Sequence, residues 1–272
     1  MNTDRMIMKA RLFGDPYSAV DLWEFRRELT LIKRLIKISE NCVSQREAHS
    51  PDSFEGVCFY IARSIVNYAK TAFDNLVLGH FDTTEMVIRT MIENRIILDL
   101  IFNNKEVSLW KYYLVYSHYK TLGKAKLTPE LRTRFTEWCT ELEIDSDFIE
   151  SHGSKKPYIE YSYGWTYKLE SIKPENRFTF KGLCDAAEGE QKEYMDFQWM
   201  SKAVHGTSYY EKVTSYTGIM RIMSLLSSIY IHLYLLVVMY CDSIWGEDFD
   251  LATEELENIF MHFIEEYDRN DK

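Results

Sequence analysis

IMSLLSSIYIHLYLLVVMYC, residues 222–241, decides what kind of chain this is. The stretch holds no Asp, Glu, Lys or Arg over 20 residues, which is long enough to cross a bilayer as a helix. Ser224, Ser227, Ser228, His232 and three tyrosines interrupt it, however, and no strong positive cluster flanks it. Those interruptions favour a helix at the centre of a protein core over a membrane span. The surrounding pattern extends that helix from about Ser208 to Ser243.

Immediately upstream lies a joint, Trp199-Met200-Ser201-Lys202-Ala203-Val204-His205-Gly206-Thr207. A helix from about Gln191 to His205 is expected to stop at Gly206, since glycine readily takes the left-handed conformation that ends a helix. His205 at that end has its protonated form favoured by the last carbonyls, which suits a general acid or a phosphate contact. An ordinary helix ending, with histidine capping carbonyls, explains the same residues.

Toward the N-terminus the chain reads as successive helices. Ser18-x-x-Asp21 resembles a capping box, followed by a buried stripe of Leu22, Phe25, Leu29, Ile32 and Ile36 to about residue 40. Arg26, Lys33 and Lys37 form a second stripe, with Arg27 and Arg34 beside it. Ser50-Pro51-Asp52 reads as a cap and first turn leading into Phe54, Cys58, Ile61, Ile65, Tyr68, Ala72 and Leu76, with Gly79 as the stop. Asp82-Thr83-Thr84-Glu85 opens a helix to about Phe102 whose apolar residues occupy most of its circumference, as in a central helix. On it, Arg89 and Glu93 lie four apart and so share a face. If that face is buried, stranding either charge would cost about 3–5 kcal/mol. The pair is then either a structural ion pair or the polar wall of a pocket. Further helices are expected over Glu106–Leu122 and Pro129–Leu142, the second announced by Thr128-Pro129-Glu130, with a short turn over Asp145–Ser151.

From Gly153 to about Glu190 the texture changes, with two of five prolines and four of eleven glycines. Tyr161, Tyr163, Trp165 and Tyr167 alternate with Ser162, Gly164 and Thr166, and period two predicts an extended segment with one aromatic face. Packing of a long connection onto the helices accounts for it. A lid carrying Trp165, Tyr163 and Tyr167 as ligand contacts is the functional alternative. A last helix over Asp250–Tyr267 buries Leu256, Ile259, Phe260, Phe263 and Ile264 and leaves an acidic face.

The expected fold is therefore all-α: an antiparallel bundle of about nine helices with one irregular connection over 153–190. It forms a single domain over 1–272, with N-terminal helices in 18–142 and C-terminal helices in 191–268. Glycine and proline are scarce, at 11 and 5 in 272 residues, which leaves few turns for a many-stranded fold. Five cysteines without a Cys-x-x-Cys pair indicate neither a disulfide framework nor a thiolate zinc site. With no secretory apolar run in the first residues, a cytoplasmic location is expected. The net charge of −10 argues against broad nucleic-acid binding. The charge is uneven: residues 1–39 carry eight Lys/Arg and five Asp/Glu, while 246–272 carry two and ten. There is no Glu-x-x-His, His-Glu-x-x-His, phosphate loop, Gly-x-Gly-x-x-Gly or Gly-x-Ser-x-Gly, so no metal and no cofactor is expected.

Arg89-x-x-x-Glu93 in an apolar helix, the Trp165 segment, and Ser201-x-x-Val204-His205-Gly206 before a long apolar helix resemble a widespread bacterial family of helical proteins of unknown function, over about residues 55–240. The resemblance implies that Arg89, Glu93 and His205 belong together, and it implies no activity. The chain is more distantly similar to the HEPN helical bundles, many of them ribonucleases of toxin and phage-defence systems. Those enzymes carry an arginine four to six residues before a histidine, and no histidine of this chain has one at that offset.

Two functions follow as expectations. In one, the chain is a binding or regulatory module in which Arg89, Glu93 and His205 form a buried network, and a homodimer or a protein partner engages its surface. In the other, it is an RNA- or nucleotide-processing enzyme using His205 as acid or base, Arg89 for negative charge and Glu93 to orient Arg89. Ser201, Trp165, Tyr163 and Tyr167 would then line its site.

Overall fold

The computed structural model describes residues 22, 25–44, 50–122, 128–151, 156–187 and 215–244. The described residues form seven α-helices joined by 3-10 turns and loops, with no strand among them. The helices are α1 (Arg26–Ser44), α2 (Phe54–Val77), α3 (Phe81–Asn103), α4 (Leu109–Thr121), α5 (Pro129–Glu141), α6 (Phe180–Ala186) and α7 (Ser215–Ile244). The all-α expectation holds. The start of the first helix at Ser18, the helix over 191–205 with Ser201 and His205, and the helix over 250–267 lie outside the described residues.

The chain divides into two compact units. The first takes residues 1–47, 61–95 and 196–272, and the second takes 48–60 and 96–195. Helices α2 and α3 each contribute one part to the first unit and the rest to the second.

In the first unit, α1 packs on α7. The reason is the match of two apolar stripes at helical spacing. Leu29, Ile32, Leu35, Ile36, Cys42 and Val43 are buried on α1, and Ile222, Leu225, Leu226, Ile229, Leu233 and Val237 on α7. Burying a side chain of this size stabilises the fold by roughly 1.5–3 kcal/mol, so the stripe outweighs the serines and tyrosines that interrupt α7. No helix among the described residues is long and apolar enough to cross a membrane.

Local chemistry sets the ends of α2. Its cap is Ser53, three residues later than Ser50. The Ser53 hydroxyl accepts from the Gly56 N–H at 3.0 Å and donates to the Ser50 carbonyl at 2.7 Å. Pro51 therefore sits in the preceding turn rather than at the first helical position. At the other end Gly79 takes φ 77°. The Gly79 N–H reaches the Leu76 carbonyl and the His80 N–H the Asn75 carbonyl, the two-bond pattern with which left-handed glycine closes a helix.

The second unit gathers α4, α5, α6 and the segment 156–187. Thr128 caps α5 by accepting from the Leu131 N–H at 3.3 Å, with Pro129 in the first turn. Tyr119 meets Phe135 and His118 meets Trp138 across the α4–α5 pair. The alternating aromatic stretch is not extended. It folds as 3-10 turns over Tyr158–Glu160 and Gly164–Thr166, and Tyr163 between them adopts φ 55°. One residue in the left-handed region breaks an extended run, so the alternation carries no common face. Gly164 makes this possible, because a Cβ there would lie 1.7 Å from the Tyr158 carbonyl oxygen.

Candidate functional site

Helix α3 carries the deeply buried charges among the described residues. Its apolar residues are buried as expected, from Ile88 through Ile101, except that Met86 is exposed. The fully buried ionic groups are Glu85 and Arg95, each 2% exposed. Arg89 and Glu93 are half-buried. At 100° per residue, Arg95 points about 160° away from Glu93, on the opposite flank of the helix. Glu85 is no direct partner for Arg95 either, since ten residues of helix separate their backbones by about 15 Å.

Arg95 acts on His232 of α7. His232 is 2% exposed, and its Nδ1 makes no hydrogen bond. Burial first, and then the Arg95 guanidinium, push its pKa down to about 3. Both causes disfavour the imidazolium, so the ring is neutral across the physiological range. This interior Arg–His association lies across two helices far apart in sequence. The signal for it was the lone histidine in the charge-free run 222–241. The arginine could not be chosen between Arg89 and Arg95 from periodicity, because α3 is apolar on nearly every side. Whether Arg89 and Glu93 meet His205 involves a residue outside those described.

The second unit holds a tyrosine–lysine cluster. Trp165 is 0% exposed and packs edge-on to Tyr113 of α4, with ring centroids 5.2 Å apart. It is a core residue of this unit with no surface for a ligand. Tyr163, half-buried, donates its backbone N–H to the Tyr116 hydroxyl at 3.0 Å. Tyr167 stacks on Tyr158 at 4.4 Å, and its hydroxyl donates to Asp145 Oδ2 at 3.1 Å. Tyr112 donates to the same oxygen at 3.2 Å, and Lys168 pairs with it. The Lys168 hydrogen bond, followed by those of Tyr167 and Tyr112, holds the Asp145 carboxyl below the usual carboxylate range. Burial, and then the neighbouring Tyr112 hydroxyl and the Asp145 carboxylate, push the Tyr167 hydroxyl far up, so it remains a donor.

Beyond this anchor the rings continue outward. Tyr161 stacks on Phe178 at 4.7 Å, and Tyr158 approaches Phe178 at 5.8 Å. Lys156 Nζ lies 4.2 Å from the Tyr161 ring centroid, and Lys120 Nζ lies 5.0 Å from that of Tyr116. Burial, and then the positive charge of Lys156, lower the Lys120 pKa, and Glu160 partly offsets them. The two ammonium groups are thus close enough to feel each other at the last turn of α4. No group of three or more His, Cys, Asp or Glu side chains among the described residues could hold a metal ion.

Fold and site together define an all-α protein with an interior Arg–His pair and a basic aromatic surface. Over residues 55–215 the chain matches the model of a family of unknown function, DUF5677, and it belongs to that family. No curated protein and no solved structure matches it.

Proposed function

We propose that the protein is a binding or regulatory module, and that the polar groups in the core of its first unit hold structure rather than carry chemistry. The observation that carries this reading is His232. A general base works best with a pKa near the operating pH and within reach of its substrate. His232 is closed from solvent and held near 3, so it can neither meet a substrate nor exchange a proton at neutral pH. Arg95 beside it fixes the packing of α3 on the unit's other helices. Recognition then falls to surfaces, and the tyrosine–lysine face of the second unit is the one with distinctive chemistry.

The test is a turnover screen of the purified protein against RNA and nucleotides, monitored by product separation. The expected result is no product. Turnover that His232→Leu leaves intact and His205→Ala abolishes would overturn the binding reading.

One observation favours the enzymatic alternative. Arg89 and Glu93 are half-buried on one flank of α3, as the wall of a polar pocket would require. In that reading His205 supplies the acid or base, and the same His205→Ala comparison decides it.

A further inference from the structure

We infer that the basic face of α1 is the docking surface for the chain's own acidic segment, residues 250–265, whose carboxylates seat on Arg26, Lys33, Arg34 and Lys37. The inference goes beyond the function proposed above, because it concerns a contact within the first unit and neither a reaction nor an outside ligand.

Periodicity and exposure define the α1 side. At 100° per residue, Arg26, Arg27, Lys33, Arg34 and Lys37 fall within an arc of about 120° over about 16 Å of helix. Arg26, Arg27, Arg34 and Lys37 are exposed, and Lys33 is half-buried. The arc lies opposite Leu29, Ile32, Leu35 and Ser39, which are buried. Neither carboxylate of α1 falls inside it. Glu28 turns toward the buried side, and Glu40, at the edge, is shared by Lys37 at 3.8 Å and Lys70 of α2 at 2.9 Å. Like charges gathered on one helix face repel each other, so this face gains from a row of carboxylates of matching pitch.

The acidic segment supplies that row. It lies outside the described residues, and its sequence spaces Asp250, Glu254, Glu257 and Glu265 at offsets of 4, 3 and 8. The helix expected there gathers them within an arc of about 80° over about 22 Å. Leu256, Ile259, Phe260 and Phe263 fall on a separate flank, so an acidic side meets α1 while an apolar side is left for the core. Residues 246–272 carry ten Asp/Glu against two Lys/Arg.

Connectivity and magnitude select this segment over a second copy or a foreign polyanion. Helix α7 packs on α1 and ends at Ile244, a few residues before Asp250. Residues 1–47 and 196–272 belong to the same compact unit. Exposed ion pairs contribute little each, too little to repay the freedom two separate chains lose on joining. A tethered segment acts at high effective concentration and escapes that cost. A foreign polyanion is repelled by the chain's net charge of −10.

The experiment is carbodiimide coupling of the full chain, which joins a lysine amine to a carboxylate in contact with it, read by peptide mass spectrometry. Equal amounts of isotopically heavy and light chains are mixed beforehand. Lys33 or Lys37 is expected to couple to carboxylates of 250–265 within one chain, giving all-heavy and all-light products. The yield should fall at least about fivefold in about 0.5 M salt, where exposed charges are screened. Arg26→Glu/Arg34→Glu keeps both lysines and should lower it by about the same factor. Adding Glu254→Arg/Glu257→Arg to that variant should restore coupling through Asp250 and Glu265, with circular-dichroism melts confirming that each variant folds. The Lys70–Glu40 pair, already in contact, couples in the same samples and proves the reagent active. Mixed heavy–light products would make a second copy the occupant and overturn the inference. Silence of Lys33 and Lys37 beside a coupled Lys70–Glu40 pair, or a yield indifferent to salt and to charge reversal, would overturn it as well. None of these outcomes bears on the binding-module reading, which stands or falls with turnover.

Discussion

Replacing His232 by leucine isolates the energetic consequence of burying a neutral histidine beside Arg95. In the unfolded chain the ring titrates near its ordinary 6.5, whereas in the native protein its pKa is about 3. Between those values the unfolded state binds the extra proton, so stability rises with pH across the window and is lost as pH falls through it. Above pH 6.5 both states are neutral and the term vanishes. At pH 5 the gap of 1.5 units corresponds to roughly 2 kcal/mol of lost stability, and at full development near pH 3 to roughly 5 kcal/mol. Urea unfolding followed by circular dichroism at pH 7 and pH 5 measures it, as the change in midpoint at constant slope. The wild type is expected to lose roughly 2 kcal/mol more than His232→Leu over that interval, the other titrating groups being common to both chains. Because the ring is neutral at pH 7, leucine leaves no charge stranded there, and the variant should fold. Equal losses in the two proteins would refute the burial of His232 beside Arg95.

Three further outcomes follow from geometry. Gly164→Ala would set a Cβ 1.7 Å from the Tyr158 carbonyl; since backbone must move, the expected loss is about 3 kcal/mol or more, read by thermal melting. Asp145→Asn removes the negative charge on which Tyr112, Tyr167 and Lys168 converge. Its side chain is 49% exposed, so solvent screening limits the loss to below about 1 kcal/mol. That loss should be seen at neutral pH and vanish in acid, as the wild-type carboxyl protonates below its ordinary range. Cys58 and Cys139 are buried with thiols pushed up to about 12. Neither should react with a disulfide reagent at pH 8 until denaturant is added, as absorbance would show.

What sequence could convey tracks the range of the interactions involved. The cap at Thr128-Pro129 and the stop at Gly79 depend on three or four consecutive residues, and both stand where the residues placed them. Ser50 failed as a cap because Ser53 offers the same hydroxyl one turn later, and local pattern does not rank the two. The aromatic alternation misled because side-chain period says nothing of backbone φ. One left-handed residue at Tyr163 turns the same string into successive 3-10 turns. Arg95 went unnoticed for a different reason. When a helix is apolar all round, the charge that ends up innermost is chosen by its neighbours, and those neighbours are remote in sequence. The tyrosine–lysine surface was half legible: Lys156 and Tyr161 are near in sequence, but Lys120 joins them only through the fold.

The pairing of α1 with α7 also bears on how the chain is made. On the order of 170 residues separate the two helices along the sequence, and contacts of such long range slow folding. A ribosome releases residues 48–195 before α7 has been synthesised. The second unit's residues are therefore all available while α1 still waits for its partner, with Leu29, Ile32 and Leu35 bare. During translation, the apolar stripe of α1 is the surface a chaperone would have to guard.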